Sequence, residues 1–205
     1  MQGGATGTGT VTILAPSTST NRTLTLPDST GTVLTTASTA VVTPAMLTQP
    51  FTSGAAVAST SGTSIDFTSI PSWVKRITVL FSEVSTTGAT GVFMRLGTSS
   101  GFESTNYIWY YATNGASGTG NTIYFQPGLR NTPASTHYGS VVLYLLNPAT
   151  NLWVIQQQTS AGADGPDVYV VSGSKALAST LTQLRLGSVD GTSTFDAGSI
   201  NILYE

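Results

Sequence analysis

The sequence predicts an all-β protein, and three observations carry that reading. Ser and Thr make up roughly three residues in ten, and the short alternating runs carry β-branched Thr, Val and Ile. Apolar and polar residues alternate with period two in many short runs. From residue 64 onward those runs are separated by Gly-, Asn- and Pro-containing turns about every ten residues, the spacing of a sandwich or jelly roll. The expected architecture is a C-terminal antiparallel β-sandwich or jelly-roll-like domain behind a short β-strand shaft or attachment segment.

Residues 1–40 hold the weakest strands. Thr8, Thr10 and Thr12 alternate with Gly9, Val11 and Ile13, and Leu24 and Leu26 alternate with Thr23 and Thr25. With turns at Pro16 and at Pro27–Gly31, this gives three short strands over about 8–14, 22–26 and 32–36. Their large apolar residues are Val11, Ile13, Leu14, Leu24, Leu26, Val33 and Leu34. At ~1.5–3 kcal/mol each when buried, these side chains do not offset ordering of roughly 40 residues at ~1–2 kcal/mol each. The segment therefore needs a partner surface, and copies of itself are the simplest one. Residues 41–60 read as a linker, with one helical turn at Pro44–Thr48.

The C-terminal domain is expected over 61–205. Ser64–Phe67 places Ile65 and Phe67 on one face. Val74–Val84 is the strongest strand, with Ile77, Val79 and Phe81 opposite Thr78, Leu80 and Ser82. Val92–Leu96 sets Val92, Met94 and Leu96 against Phe93 and Arg95. Tyr107–Ala112 is aromatic on both faces, and Thr122–Gln126 follows a Gly/Asn loop. Ser140–Leu146 is apolar on both faces, the pattern of a central strand covered on both sides. Leu152–Gln158, Val168–Ser172, Leu181–Leu186 and Ser199–Tyr204 complete about ten strands. Residues 176–184 have leucines at helical spacing, but β-branched neighbours favour strand or loop.

Charge narrows the function classes. Charged residues are 8% of the chain, against ~25% in ordinary soluble domains, and the net charge is −2. Seven scattered cations make no nucleic-acid footprint. No apolar run is long enough to span a membrane, and the N-terminus has no signal-peptide pattern. Without Cys and with a single His, no transition-metal site or cofactor is expected. Asp164-Gly165-Pro166-Asp167 offers two carboxylates but reads as an ordinary turn rather than a calcium site. Gly115–Gly120 lacks the Lys and the helix of a phosphate loop and reads as a mobile loop. His137 has no nucleophile motif beside it, and Glu83 and Glu103 are unsupported as a catalytic pair, so no catalytic residue is assigned. Trp73 and Trp153 read as structural.

The positive signal is a cluster: Tyr107, Trp109, Tyr110 and Tyr111, followed by Asn114. Tyr107, Trp109 and Tyr111 share one strand face and Tyr110 the other. Aromatic rings beside amides and hydroxyls suit sugar rings, and equally suit a core or subunit contact. These five residues are the candidate receptor-binding set.

Three segments carry a resemblance. Residues 61–79 (SGTSIDFTSIPSWVKRITV) and 195–205 (FDAGSINILYE) resemble a module of tailed-bacteriophage virion proteins, and 21–33 (NRTLTLPDSTGTV) is similar to segments that precede such modules in tail fibres. The resemblance implies a structural, non-enzymatic protein located in the virion and assembled in the host cytoplasm. The form it implies is a short homotrimeric tail fibre. Its N-terminal segment would bind other virion proteins, and its loops at 97–106, 112–121, 127–139 and 159–167 would meet the host surface, with a surface glycan as a candidate ligand. A capsid decoration or head-fibre protein is the alternative.

Overall fold

The computed structural model describes residues 51–120, 123–128, 132–133, 135–162 and 167–205, with Ser19 and Asn21. The three strands expected in 1–40, the turn at Pro44 and the Asp164–Pro166 turn lie outside these residues. The chain divides after Val41, and nearly all described residues belong to the second unit, Val42–Glu205.

That unit is all-β. In chain order the strands are β1 (Thr52–Ser53), β2 (Val57–Ala58), β3 (Ser64–Phe67), β4 (Arg76–Thr86), β5 (Val92–Thr98), β6 (Gly101–Phe102) and β7 (Ile108–Thr113). They continue with β8 (Ala116–Thr119), β9 (Phe125–Gly128), β10 (His137–Asn147), β11 (Leu152–Ala161), β12 (Asp167–Ala176), β13 (Gln183–Ser188) and β14 (Phe195–Tyr204). One 3₁₀ turn at Pro148–Thr150, capped by the Asn147 side chain, joins β10 to β11. The strands form two antiparallel sheets. The nine-stranded sheet runs β1-β14-β4-β10-β11-β12-β7-β8, with β2 also on β14. The five-stranded sheet runs β3-β13-β5-β6, with β9 on β5.

The ten expected strands are all present, with shifted ends. Leu177 and Leu181, which mimic helical spacing, are buried in the irregular segment between β12 and β13. The expected linker differs from the structure in its last part, because residues 52–58 extend the sheet edge by pairing with β14. The Gly-rich segment 115–120 is not a free loop. Thr113 pairs with Ala116 across Asn114-Gly115, and Gly115 at φ 91° supplies the left-handed residue of this two-residue hairpin.

The core lies between the sheets. From the larger sheet come Ile77, Val79, Val141, Leu143, Trp153, Ile155, Val171, Ile200 and Ile202. Ile65, Phe67, Met94, Leu96, Phe125, Leu184 and Leu186 meet them from the smaller one. Trp73 packs on Tyr204, ring centroids 5.8 Å apart, and Trp153 is 2% exposed, so both tryptophans are structural. The two ends of the unit close on each other. β14 pairs with β4 from Phe195–Thr86 to Tyr204–Ile77, and the Arg76 guanidinium meets the Glu205 carboxylate at 2.6 Å.

Three charged residues, Asp66, Arg95 and Arg185, share the outer face of the five-stranded sheet. Arg95 and Arg185 stand directly opposite each other, an unfavourable pairing by itself. Arg185 is held by a bidentate contact to Asp66 at 2.6 and 2.7 Å, which pushes its pKa further up. Arg95 lies 4.7 Å from the Phe93 ring centroid, and Arg185 lies 4.3 Å from that of Phe102.

Candidate functional site

The expected aromatic cluster is split by the sheet. Tyr107, just before β7, is 1% exposed and Trp109 is 3% exposed, so both belong to the core. Tyr111 lies on the same face, partly exposed, with its ring centroid 5.9 Å from that of Trp109. Tyr110 projects from the opposite face and is 56% exposed. Asn114 is exposed at the β7–β8 turn. The five residues therefore do not form one surface.

Tyr107 has a structural explanation. Its hydroxyl accepts from the Leu96 amide at 2.9 Å and donates to the Glu103 carbonyl at 3.1 Å. Burial pushes its pKa well above the ordinary tyrosine range. Beside it Lys175, 2% exposed, reaches Glu103 Oε2 at 2.5 Å and the Ala176 carbonyl at 2.6 Å, and its Nζ stands 5.4 Å from the Tyr107 ring centroid. Glu103 Oε1 accepts from the Ala178 amide at 2.7 Å. Glu103 thus ties the segment after β6 to the end of β12, through a pair that spans 72 positions of the chain. Glu83 stands elsewhere, exposed on a left-handed bulge of β4 at φ 57°.

One cleft lies at the β7–β8 edge of the larger sheet. Its volume is about 410 Å³, and its walls are Trp109, Tyr111, Thr113, Thr119, Gly120, Gln126 and Tyr169. Inward-facing residues of β7 and β12 supply the aromatic floor, and β9 of the other sheet brings Gln126 across the mouth. Gly118 of β8 and Gly120 just after it have a specific reason. Gly118 pairs with Tyr111, and Gly120 donates its amide to the Trp109 carbonyl at 2.9 Å. A Cβ on Gly120 would sit 1.6 Å from Trp109 Cε2, so only glycine lets the chain pass over the indole. Among the described residues no acidic or basic side chain lines the cleft. Tyr111 is the partly exposed ring, while Tyr169, 4% exposed, backs it from the core with Trp109; the arrangement can stack a flat apolar face on Tyr111 and hydrogen-bond hydroxyls through Gln126, Thr113 and Thr119. Reading the chain by strand face does not bring out Tyr169 and Gln126, because only the sheet register places them beside β7. The Asn114-Gly115 pair was the available signal for the hairpin that builds the other wall.

His137 is 5% exposed on the inner face of β10, and burial lowers its pKa to about 4. Its Nδ1 has no hydrogen-bond partner among the described residues. Gln157 and Thr159, joined at 2.9 Å, share this polar end of the core. No group of three or more His, Asp or Glu able to hold a metal ion occurs among the described residues. No helix of the described residues is long and apolar enough to cross a membrane. Compared with protein-family models, curated proteins and solved structures, the chain matches none.

Proposed function

We propose that this chain is a structural subunit of a tailed-bacteriophage virion, a short trimeric tail fibre. In this reading residues 1–40 attach it to the tail or form a shaft, and the β domain meets the host surface. The observation that carries the reading is the pair of virion-like segments at 61–79 and 195–205. They lie far apart in sequence yet fold as neighbouring strands, with Leu203 opposite Thr78 and Ile202 opposite Val79. The module they bracket is thus one folded unit.

No catalytic role enters this reading. Glu103, one of the two carboxylates considered for hydrolysis, is bound by Lys175. Host contact is assigned to the cleft of Tyr111, Thr113 and Gln126, whose chemistry suits a neutral sugar ring, with the exposed Asn114 next in sequence to Thr113. Trp109 supports this cleft from within the core and Tyr107 lies outside it.

Gold-labelled antibody against the chain, imaged on phage particles, tests the proposal. Label at the tail end supports a fibre, label over the capsid moves the chain to a decoration role, and particles without label overturn the virion reading.

A further inference from the structure

Strand β10 poses a problem that the fold of one chain does not solve. Its sequence is apolar on both faces, as in strands covered on both sides. In the structure β10 is central, between β4 and β11, yet only its inner face is covered. Tyr138 (41%), Tyr144 (40%) and Leu146 (65%) are exposed on or beside the other. The same outer face carries Leu80 from β4, Val168 and Val170 from β12, and Ile108 and Tyr110 from β7, all exposed. Eight of the twelve large exposed apolar residues among the described ones fall on or beside this one face. Such a patch on a soluble domain marks an interaction surface.

The register shows how the face is built. One row crosses the sheet as Leu80, Ser140, Gln158, Val170 and Ala112. The next runs Thr78, Val142, Gln156, Ser172 and Tyr110. Neither row holds an acidic or basic residue. The third, Tyr144, Val154, Ser174 and Ile108, meets only Arg76 at its end, already paired with Glu205. Two depressions of about 350 and 420 Å³ lie between Ser140, Gln158 and the valines of β12.

We infer that a further copy of this chain covers the outer face of the nine-stranded sheet. A nucleic acid or an anionic membrane needs cations, and a charged protein partner needs counter-ions; these rows offer neither. A second copy brings the same three rows without an unpaired charge; the exposed Glu83 carboxylate, which accepts from the Tyr138 hydroxyl at 3.4 Å, lies beyond them. The glutamine amides and serine hydroxyls both donate and accept, so they pair with their own kind. The exposed tyrosines and Leu146 are projections of the size the depressions receive. Seven strands from β14 to β8 at ~4.8 Å spacing span roughly 29 Å, ample for the ~800 Å² per partner of a stable interface. This goes beyond the proposed function by naming the surface through which the β domains themselves meet.

The test is sedimentation equilibrium of the full chain and of single-charge variants over a wide concentration range. Wild type is expected at a multiple of the 21.1 kDa chain mass. Val170→Lys and Gln158→Glu are expected to fall to the single-chain mass, or to need at least tenfold higher concentration to associate, while keeping the wild-type circular dichroism. Ser100→Lys, at the turn between β5 and β6, is expected to associate like wild type. Should Val170→Lys fail to fold, Gln158→Glu decides. A wild-type oligomer indifferent to the folded variants overturns this interface and leaves the subunit reading standing, with the N-terminal segment as the assembly element. A wild-type monomer throughout overturns the self-association and with it the trimeric form of the proposed fibre.

Discussion

Replacing Lys175 by Met examines the buried ion pair that ties β12 to the segment after β6. The side chain of Lys175 is 2% exposed and that of Glu103 20%, so the pair is largely withdrawn from water. Methionine keeps much of the volume and removes the charge. Glu103 then keeps the Ala178 amide but loses its counter-charge, and the Ala176 carbonyl loses a donor. Removing one member of a buried pair costs ~3–5 kcal/mol. Because Glu103 retains a hydrogen bond and some water, the expected loss is at the lower end, about 3 kcal/mol. Urea unfolding at neutral pH, followed by circular dichroism, measures it through the midpoint at unchanged slope. Lys175→Met with Glu103→Gln leaves no lone charge, so the double variant should recover at least half of the loss. A single variant within about 0.5 kcal/mol of wild type would refute the reasoning, placing the pair among weak surface contacts.

Three further outcomes follow from the same geometry. His137 is held neutral, with its pKa lowered from 6.5 to about 4, so its contribution to stability is intact above pH 6.5 and is lost as pH falls toward 4. The loss is about 3 kcal/mol across that window at 1.36 kcal/mol per unit, and the stability profile of His137→Leu should lack it. Asp190 accepts from Ser193 Oγ at 2.6 Å and from the Ser193 and Thr192 amides, each at 2.9 Å. These bonds bring its pKa down to about 2, and NMR titration should show the midpoint rise toward ordinary carboxylate values in Ser193→Ala. Gly120→Val places atoms where the Trp109 indole lies, and it should cost ~1–3 kcal/mol and shift the tryptophan fluorescence; an unchanged spectrum and stability would show that the indole is not held there.

Alternation made much of the β domain legible in the sequence. Ile77, Val79 and Phe81 face the core and Leu80 faces out, as period two requires. Val92, Met94 and Leu96 likewise face inward, while Arg95 points out to the aromatic rings. Strands of two residues such as Gly101–Phe102 left no periodic trace, because alternation needs several residues to register. The β8 strand was hidden by its glycines, whose packing role depends on the rings of Trp109 and Tyr111 across the hairpin. The candidate site was legible only as a cluster of rings. Strand parity separated Tyr110 from Tyr107, Trp109 and Tyr111, but burial of Tyr107 depends on Leu96 and Phe125 from the other sheet. The doubly apolar β10 was read as covered on both faces, whereas a single chain covers one; the mismatch is the basis for assigning its other face to a second copy.

The most direct measurement of the central claim is the copy number of this chain in purified phage particles, by quantitative mass spectrometry against the major capsid protein. The account expects the chain to be retained in the particles in a multiple of three. Particles free of the chain would contradict it.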